Sequence, residues 1–180
     1  RGGRVINYKH LLDTALGAVS HRVDTVLLVN RGLLDDLPVA PDRDQDYQDA
    51  LHAIPEQQVP AVWLESSAPS YILYTSGTTG APKGVQRDTG GYSVALAASM
   101  RHIYDGRAGE TMFSTSDIGW VVGHSYIVYG PLLAGMATIL YEGTPLFPDP
   151  GIWWRTISKY KPAILFSSPT GIRLFKTEDP

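Results

Sequence analysis

The chain is 180 residues long, 43% hydrophobic and carries a formal net charge of -3, values that fit one soluble globular domain with a sizeable core. Its charges are unclustered, so no basic stripe argues for nucleic acid. Cysteine is absent, which excludes disulfides, thiolate metal sites and cysteine nucleophiles and fits a reducing cytoplasm, the expected location.

Arg1-Gly2-Gly3-Arg4 precedes a helix-like segment with no starting methionine and no signal-peptide pattern, and reads as a cut rather than a beginning. Leu11, Leu12, Ala15, Leu16 and Val19 recur at helical spacing, and the β-branched and leucine run Thr25–Val29 predicts a buried strand. Residues 31–69 hold Pro38, Pro41, Pro55, Pro60 and Pro69 and predict a surface connection with one short helix near Tyr47–Ile54. Tyr71–Tyr74 is the next predicted strand. Further on, the composition predicts helices over Tyr92–Tyr104, His124–Leu133 and Ile152–Tyr160, alternating with strands at Thr111–Ser114, Ala137–Tyr141 and Ala163–Phe166. Such alternation predicts an α/β fold with a mainly parallel sheet flanked by helices, whose ligands gather at the carboxyl ends of the strands. The stretch between Asp117 and Glu142 has no formally charged residue and is long enough to span a membrane. Gly119, Gly123, His124, Ser125, Gly130, Pro131 and Gly135 interrupt it and no basic flank follows, so a buried strand, loop and helix are expected and no membrane partner.

Tyr74 to Val85 reads Tyr-Thr-Ser-Gly-Thr-Thr-Gly-Ala-Pro-Lys-Gly-Val, the composition of a polyphosphate cradle. Gly77, Gly80 and Gly84 permit positive φ and close backbone approach, so N–H groups can point at phosphate oxygens. Thr75, Ser76, Thr78 and Thr79 add hydroxyl donors, and Lys83 adds a compact positive charge for a departing oxygen. This is not a Walker loop, because Pro82 stands where the second glycine belongs and Gly84 follows the lysine in place of Ser or Thr. A solvated turn is the bland reading of such a cluster. Neither metal-ligand spacing nor a nucleophile elbow occurs among His10, His21, His52, His102 and His124, so no metal-ligating residue is assigned.

The loop, followed by Ser116-Asp117-Ile118-Gly119-Trp120-Val121-Val122-Gly123-His124-Ser125-Tyr126, resembles the AMP-forming acyl-CoA synthetases of the adenylate-forming superfamily. The likeness extends to Thr89-Gly90-Gly91-Tyr92, Tyr141-Glu142-Gly143 and Pro169-Thr170-Gly171-Ile172-Arg173. Within the family, Val85-Gln86-Arg87-Asp88 and the Trp-Val-Val-Gly-His order resemble the branch that activates propionate. The resemblance implies that residues 1–180 are part of a large N-terminal AMP-binding domain. It implies ATP, Mg2+, coenzyme A and a short carboxylic acid as small-molecule partners, and two steps, adenylation and then thioester formation. It also implies that Thr75, Ser76, Gly77, Thr78, Thr79, Gly80 and Lys83 hold the nucleotide phosphates, with Lys83 stabilising charge. Trp120, Val121 and Val122 would line the acyl pocket, and Arg1 and Arg4 would lie against the 3'-phosphate of coenzyme A. Acetate-specific relatives resemble Trp-Val-Thr at the pocket, so Val122 makes a drier wall. The two valines also fit plain core packing, and His124 fits either a pocket residue or a structural one.

Two other readings stay open: a sibling ligase for acetate or another short acid, and a non-catalytic nucleotide-binding module. The resemblance also implies ribose-binding, magnesium-associated and lysine-bearing segments beyond Pro180, including a mobile C-terminal domain. Residues 1–180 alone are therefore expected to form no acyl-CoA thioester from ATP, acid and coenzyme A in a thiol-consumption assay. Measurable thioester would overturn that expectation.

Overall fold

The computed structural model describes residues 5–34, 36–76 and 80–178. The chain forms two compact units, Arg1–Ala61 and Val62–Pro180.

In the first unit, α1 spans Tyr8–Gly17, and Asn7 caps it by accepting a hydrogen bond from the His10 amide at 2.9 Å. The residue this helix buries is Lys9, 6% exposed, whereas Leu11 is 55% exposed. Charge pairing explains the inversion. The Lys9 ammonium lies 2.8 Å from a carboxylate oxygen of Asp44 and 2.5 Å from one of Asp13. Arg43 donates to Asp44 through Nε and to Asp13 through Nη2, both at 2.6 Å. Two cations and two carboxylates thus bridge one another, and the Ala40 amide donates at 2.9 Å to Asp44 Oδ2, the oxygen that also meets Lys9.

Asp44 opens β2 (Asp44–Asp46), which pairs in parallel with β1 (Val26–Leu28) in the register Val26↔Asp44. The expectation of a fully buried strand here is corrected. Val26 is buried but Leu27 is exposed, because this sheet has two strands and successive side chains point to opposite faces. Helix α2 (Tyr47–Ala53) follows at once, with Asp46 accepting from the amides of Gln48 and Asp49 at 2.8 and 3.2 Å.

In the second unit, β3 (Pro69–Thr75) and β4 (Lys83–Asp88) form an antiparallel hairpin. Helix α3 (Gly90–His102) begins at a tight corner where the Thr89 and Gly90 amides donate to the carbonyls of Ala68 and Ser66 at 2.8 and 2.7 Å. A Cβ on Gly90 would lie 2.9 Å from the Ser66 Cα, so the corner admits only glycine.

The principal sheet is parallel, with β5 (Thr111–Ser114) between β6 (Ala137–Thr138) and β7 (Ile164–Phe166). Met112 and Phe113, both 0% exposed, point to opposite faces of β5. Met112 packs with Met100 of α3 and with Met136, bordered by Tyr104, Tyr126 and Phe166. Phe113 packs with Trp153 of α6 (Ile152–Tyr160) and Phe175 of α7 (Pro169–Glu178). Helices therefore cover both faces, the three-layer α/β arrangement expected from the alternation.

The predicted helix over His124–Leu133 is longer and irregular. An α turn at Val121–Gly123, α4, runs into a π segment at His124–Tyr129 and ends in an α turn at Gly130–Leu133, α5. No described helix is long and apolar enough to cross a membrane.

The charge cluster supplies a stability test. Arg43, the Ala40 amide and Lys9 hold the Asp44 carboxyl well below the usual carboxylate range despite its burial. Burial pulls the Lys9 ammonium down, but its bonds to Asp13 and Asp44 outweigh that and leave it raised. A depressed carboxylate contributes fully above its unfolded value near about pH 4, and loses that contribution as pH falls through its native value. Asp44→Asn should lower the urea midpoint at pH 7 by the equivalent of about 3 kcal/mol, because it leaves buried charge unmatched. It should also flatten the acid limb of the stability profile. An unchanged midpoint would contradict this account.

Candidate functional site

The described residues of the predicted phosphate loop sit at the mouth of the β3–β4 hairpin. Thr75 and Lys83 are register partners, so residues 76–82 connect the two strands. Thr75, Ser76, Gly80 and Lys83 are all exposed. Gly77, Thr78 and Thr79 lie outside the described residues, as do Arg1 and Arg4. Gly80 has φ +84, a conformation that glycine adopts without a Cβ penalty. Gly84 corrects the sequence reading, since it lies inside β4 and has no positive φ. Its requirement is space: a Cβ there would come within 3.1 Å of Ile72 Cγ2 and 3.2 Å of the Tyr74 ring. Among the described residues Lys83 makes no ion pair, so its ammonium is available to an anion.

The predicted acyl wall begins at the carboxyl end of β5. The Thr115 amide donates to the Phe166 carbonyl at 2.9 Å, and the Thr115 hydroxyl donates to Ser167 at 2.9 Å, which carries the β5–β7 ladder one step past the strand. Asp117 then turns the chain by accepting from the Gly119 amide at 2.8 Å. Trp120 is 69% exposed, while Val121 and Val122 are half-buried. The two valines are thus neither sealed in a core nor free of it, a position suited to a pocket wall.

Two features fix this wall. Tyr92 of α3 and Ser125 share a hydrogen bond of 2.7 Å, and Ser125 also donates to the Val121 carbonyl at 2.7 Å. Because the single serine proton is engaged by that carbonyl, Tyr92 is the donor in the first bond. Gly123 supplies the second. A Cβ on it would fall 2.2 Å from the Asp117 carbonyl oxygen and 2.7 Å from the Ile118 Cα, so the turn folds back onto a bare backbone. Gly123 has ordinary helical φ and no motif-level signal of its role beyond its place in Trp-Val-Val-Gly-His.

The structure joins the two motifs at the base of the hairpin rather than at its mouth. Tyr71 of β3 packs against His124, ring centroids 5.0 Å apart, and against Tyr129 at 6.0 Å. His124 is half-buried, and its Nδ1 is buried with no hydrogen-bond partner among the described residues. Sequence reasoning missed Tyr71, Tyr92 and Tyr129. The signal for Tyr71 was its place in the alternating burial of β3, where Tyr71 and Leu73 face inward and Ile72 and Tyr74 outward.

No group of three or more His, Cys, Asp or Glu that could hold a metal ion occurs among the described residues.

The family described as AMP-binding enzyme matches residues 6–179. The chain is 57% identical to the propionate--CoA ligase of Escherichia coli (strain K12) over 98% of this chain and 28% of that protein. It is 47% identical to the mitochondrial acyl-CoA synthetase short-chain family member 3 of Homo sapiens, over 99% of this chain and 26% of that protein. It is 43% identical to the acetyl-coenzyme A synthetase of Pyrobaculum aerophilum, over 97% of this chain and 26% of that protein. The chain thus spans roughly a quarter of the length of the curated relatives it matches.

Gly123→Ala should displace the Asp117–Trp120 turn and lower the thermal midpoint of the protein carrying this chain, with a cost of about 1–3 kcal/mol typical of overpacking. Gly119→Ala, whose Cβ would meet only Asp117 Oδ1 at 3.2 Å, should cost less. Equal midpoints for the two variants would refute the steric account.

Proposed function

Because the chain belongs to the AMP-binding enzyme family, we propose that the protein carrying it is an AMP-forming propionate-CoA ligase. In the first step a propionate oxygen attacks the α-phosphorus of ATP. The bond from that phosphorus to the bridging oxygen breaks, and diphosphate leaves with the electron pair. In the second step the thiolate sulfur of coenzyme A attacks the acyl carbon, and the acyl–oxygen bond breaks to release AMP. Each step develops charge that needs donors already in place.

The observation that carries this reading is the half-buried Val121–Val122 wall at the carboxyl end of β5, next to exposed Trp120 and in the same unit as the Thr75–Lys83 hairpin. Apolar side chains suit a short alkyl group, and Lys83 with the hydroxyls of Thr75 and Ser76 suits the departing diphosphate. Thr78, Thr79 and the amides of Gly77 and Gly80 belong to the same cradle in this reading, and Arg1 and Arg4 to the coenzyme A phosphate site. Magnesium bound to the triphosphate would share in neutralising it. Identity supports propionate over acetate, at 57% to the relative named for propionate and 43% to one named for acetyl-coenzyme A. Acetate is the second reading, favoured by that latter relative.

Acid-dependent diphosphate release from the protein carrying this chain should be greater with propionate than with acetate at equal concentration. Acetate matching propionate would favour the second reading. Val122→Thr should move the preference toward acetate by no more than about 1–3 kcal/mol, the worth of one small group in an apolar pocket. Lys83→Ala should reduce kcat about 10²–10³-fold, as loss of a charge-stabilising donor does. Unaltered diphosphate release in that variant would remove Lys83 from the chemistry.

A further inference from the structure

Tyr71 is the hub of a four-ring cluster between the hairpin and the helical run. It stacks on Tyr129 with centroids 6.0 Å apart and ring planes 5° from parallel. It meets Tyr92 edge-on at 5.5 Å and His124 edge-on at 5.0 Å. Tyr92 and Tyr129 also touch edge-on, at 5.9 Å. The Arg87 guanidinium carbon lies 6.0 Å from the centroid of the Tyr92 ring, so β4 joins the same cluster.

Each ring is linked, along its own element or through one hydrogen-bonded neighbour, to a proposed site residue. Four residues along β3 from Tyr71 lies Thr75, whose register partner is Lys83. His124 and Tyr129 bound the π segment, which starts directly after Val121, Val122 and Gly123. Tyr92 reaches the Val121 carbonyl through Ser125. The contacts of Tyr71 therefore set the lateral spacing between the strand that feeds the phosphate loop and the helix that carries the acyl wall. Flat rings in edge and stacked contact hold orientation better than flexible aliphatic chains do. The π segment keeps this geometry local, since an extra residue per turn rotates His124 and Tyr129 onto one face.

The Tyr71 hydroxyl is buried and makes no well-formed hydrogen bond among the described residues; burial, with Tyr92 beside it and Arg87 opposing, pushes its pKa up to about 12, so it remains a neutral phenol. The ring contacts do not use it. We infer that Tyr71 is a positioning residue whose ring aligns the phosphate hairpin with the acyl wall, and so aligns the attacking carboxylate with the α-phosphorus. It need touch neither substrate. The alignment role rests on the ligase reading above; the mechanical link between hairpin and wall does not.

The test uses Tyr71→Phe, Tyr71→Leu and Tyr129→Leu in the protein carrying this chain, with two measurements. The first is amide hydrogen exchange. Tyr71→Leu and Tyr129→Leu should raise exchange both in the paired strand residues 83–88 and in 117–123, while exchange in α6 stays at the wild-type level and reports an intact fold. The second is steady-state diphosphate release. Tyr71→Leu should lower kcat about 30-fold with the KM values for ATP and acid within about 3-fold, since misplacement of aligned reactants by about 1 Å costs up to about 100-fold. Tyr71→Phe should restore both measurements to near wild type, and the Tyr71→Leu, Tyr129→Leu double variant should lose less than the product of the single losses, because the two share one contact. Unchanged exchange at either segment in Tyr71→Leu, a loss carried by KM alone, or failure of Tyr71→Phe to rescue would overturn the inference. A wild-type protein with no acid-dependent diphosphate release would instead defeat the ligase reading, and the exchange result would still decide whether Tyr71 links the two segments.

Discussion

The burial of β5 on both faces is the constraint on which the second unit depends. Met112 and Phe113 are adjacent and wholly buried, each committed to a different helical layer. A strand held from both sides cannot shift in register without driving one large side chain into the wrong layer. Its carboxyl end is thereby a fixed point, and the Thr115 bonds to Phe166 and Ser167 extend that rigidity past the last strand residue. The turn at Asp117, the exposed Trp120 and the half-buried valines are all hung from it. The segment proposed as a pocket wall would inherit its precision from the core rather than from its own loop.

The hairpin is positioned by different means. Its outer face carries exposed Ile72 and Tyr74, and its mouth carries exposed Lys83. What anchors it is the inward ring of Tyr71, together with the corner where Ser66 and Ala68 accept from Gly90 and Thr89. In the proposed ligase reading this division suits phosphate chemistry, where an accessible loop receives the triphosphate while its base stays fixed.

Much of the α/β order was legible in the sequence, because Thr111–Ser114, Ile152–Tyr160 and Ala163–Phe166 have clear strand or helix composition and the structure has elements there. The strand at Asp44–Asp46 was not legible, since Asp-Gln-Asp has little strand propensity and its Asp44 is held by Lys9 from a distant helix together with the adjacent Arg43. Lys9 itself showed no sign of burial, because a lysine on a helix reads as surface until its partners are known. At the site, the Thr75–Lys83 composition and the Trp120–Val122 motif were visible as local patterns. The hairpin pairing of Lys83–Asp88 was not, because Lys-Gly-Val-Gln-Arg-Asp has no run of strand formers and gains its strand from β3. The ring contacts of Tyr71 depend on residues distant in sequence, and the steric need for Gly123 on how the chain folds back over Asp117 and Ile118, neither of which a local pattern reports.

The central claim is that a carboxylate is activated as an acyl-adenylate at the hairpin and the valine wall. Propionate labelled with oxygen-18 in its carboxylate tests this most directly. If a carboxylate oxygen attacks the α-phosphorus and the acyl–oxygen bond then breaks, one labelled oxygen must finish in the phosphate of AMP. The account predicts label in AMP and none in diphosphate, read by mass spectrometry after a single turnover of the protein carrying this chain. Unlabelled AMP, or label in released phosphate, would contradict it.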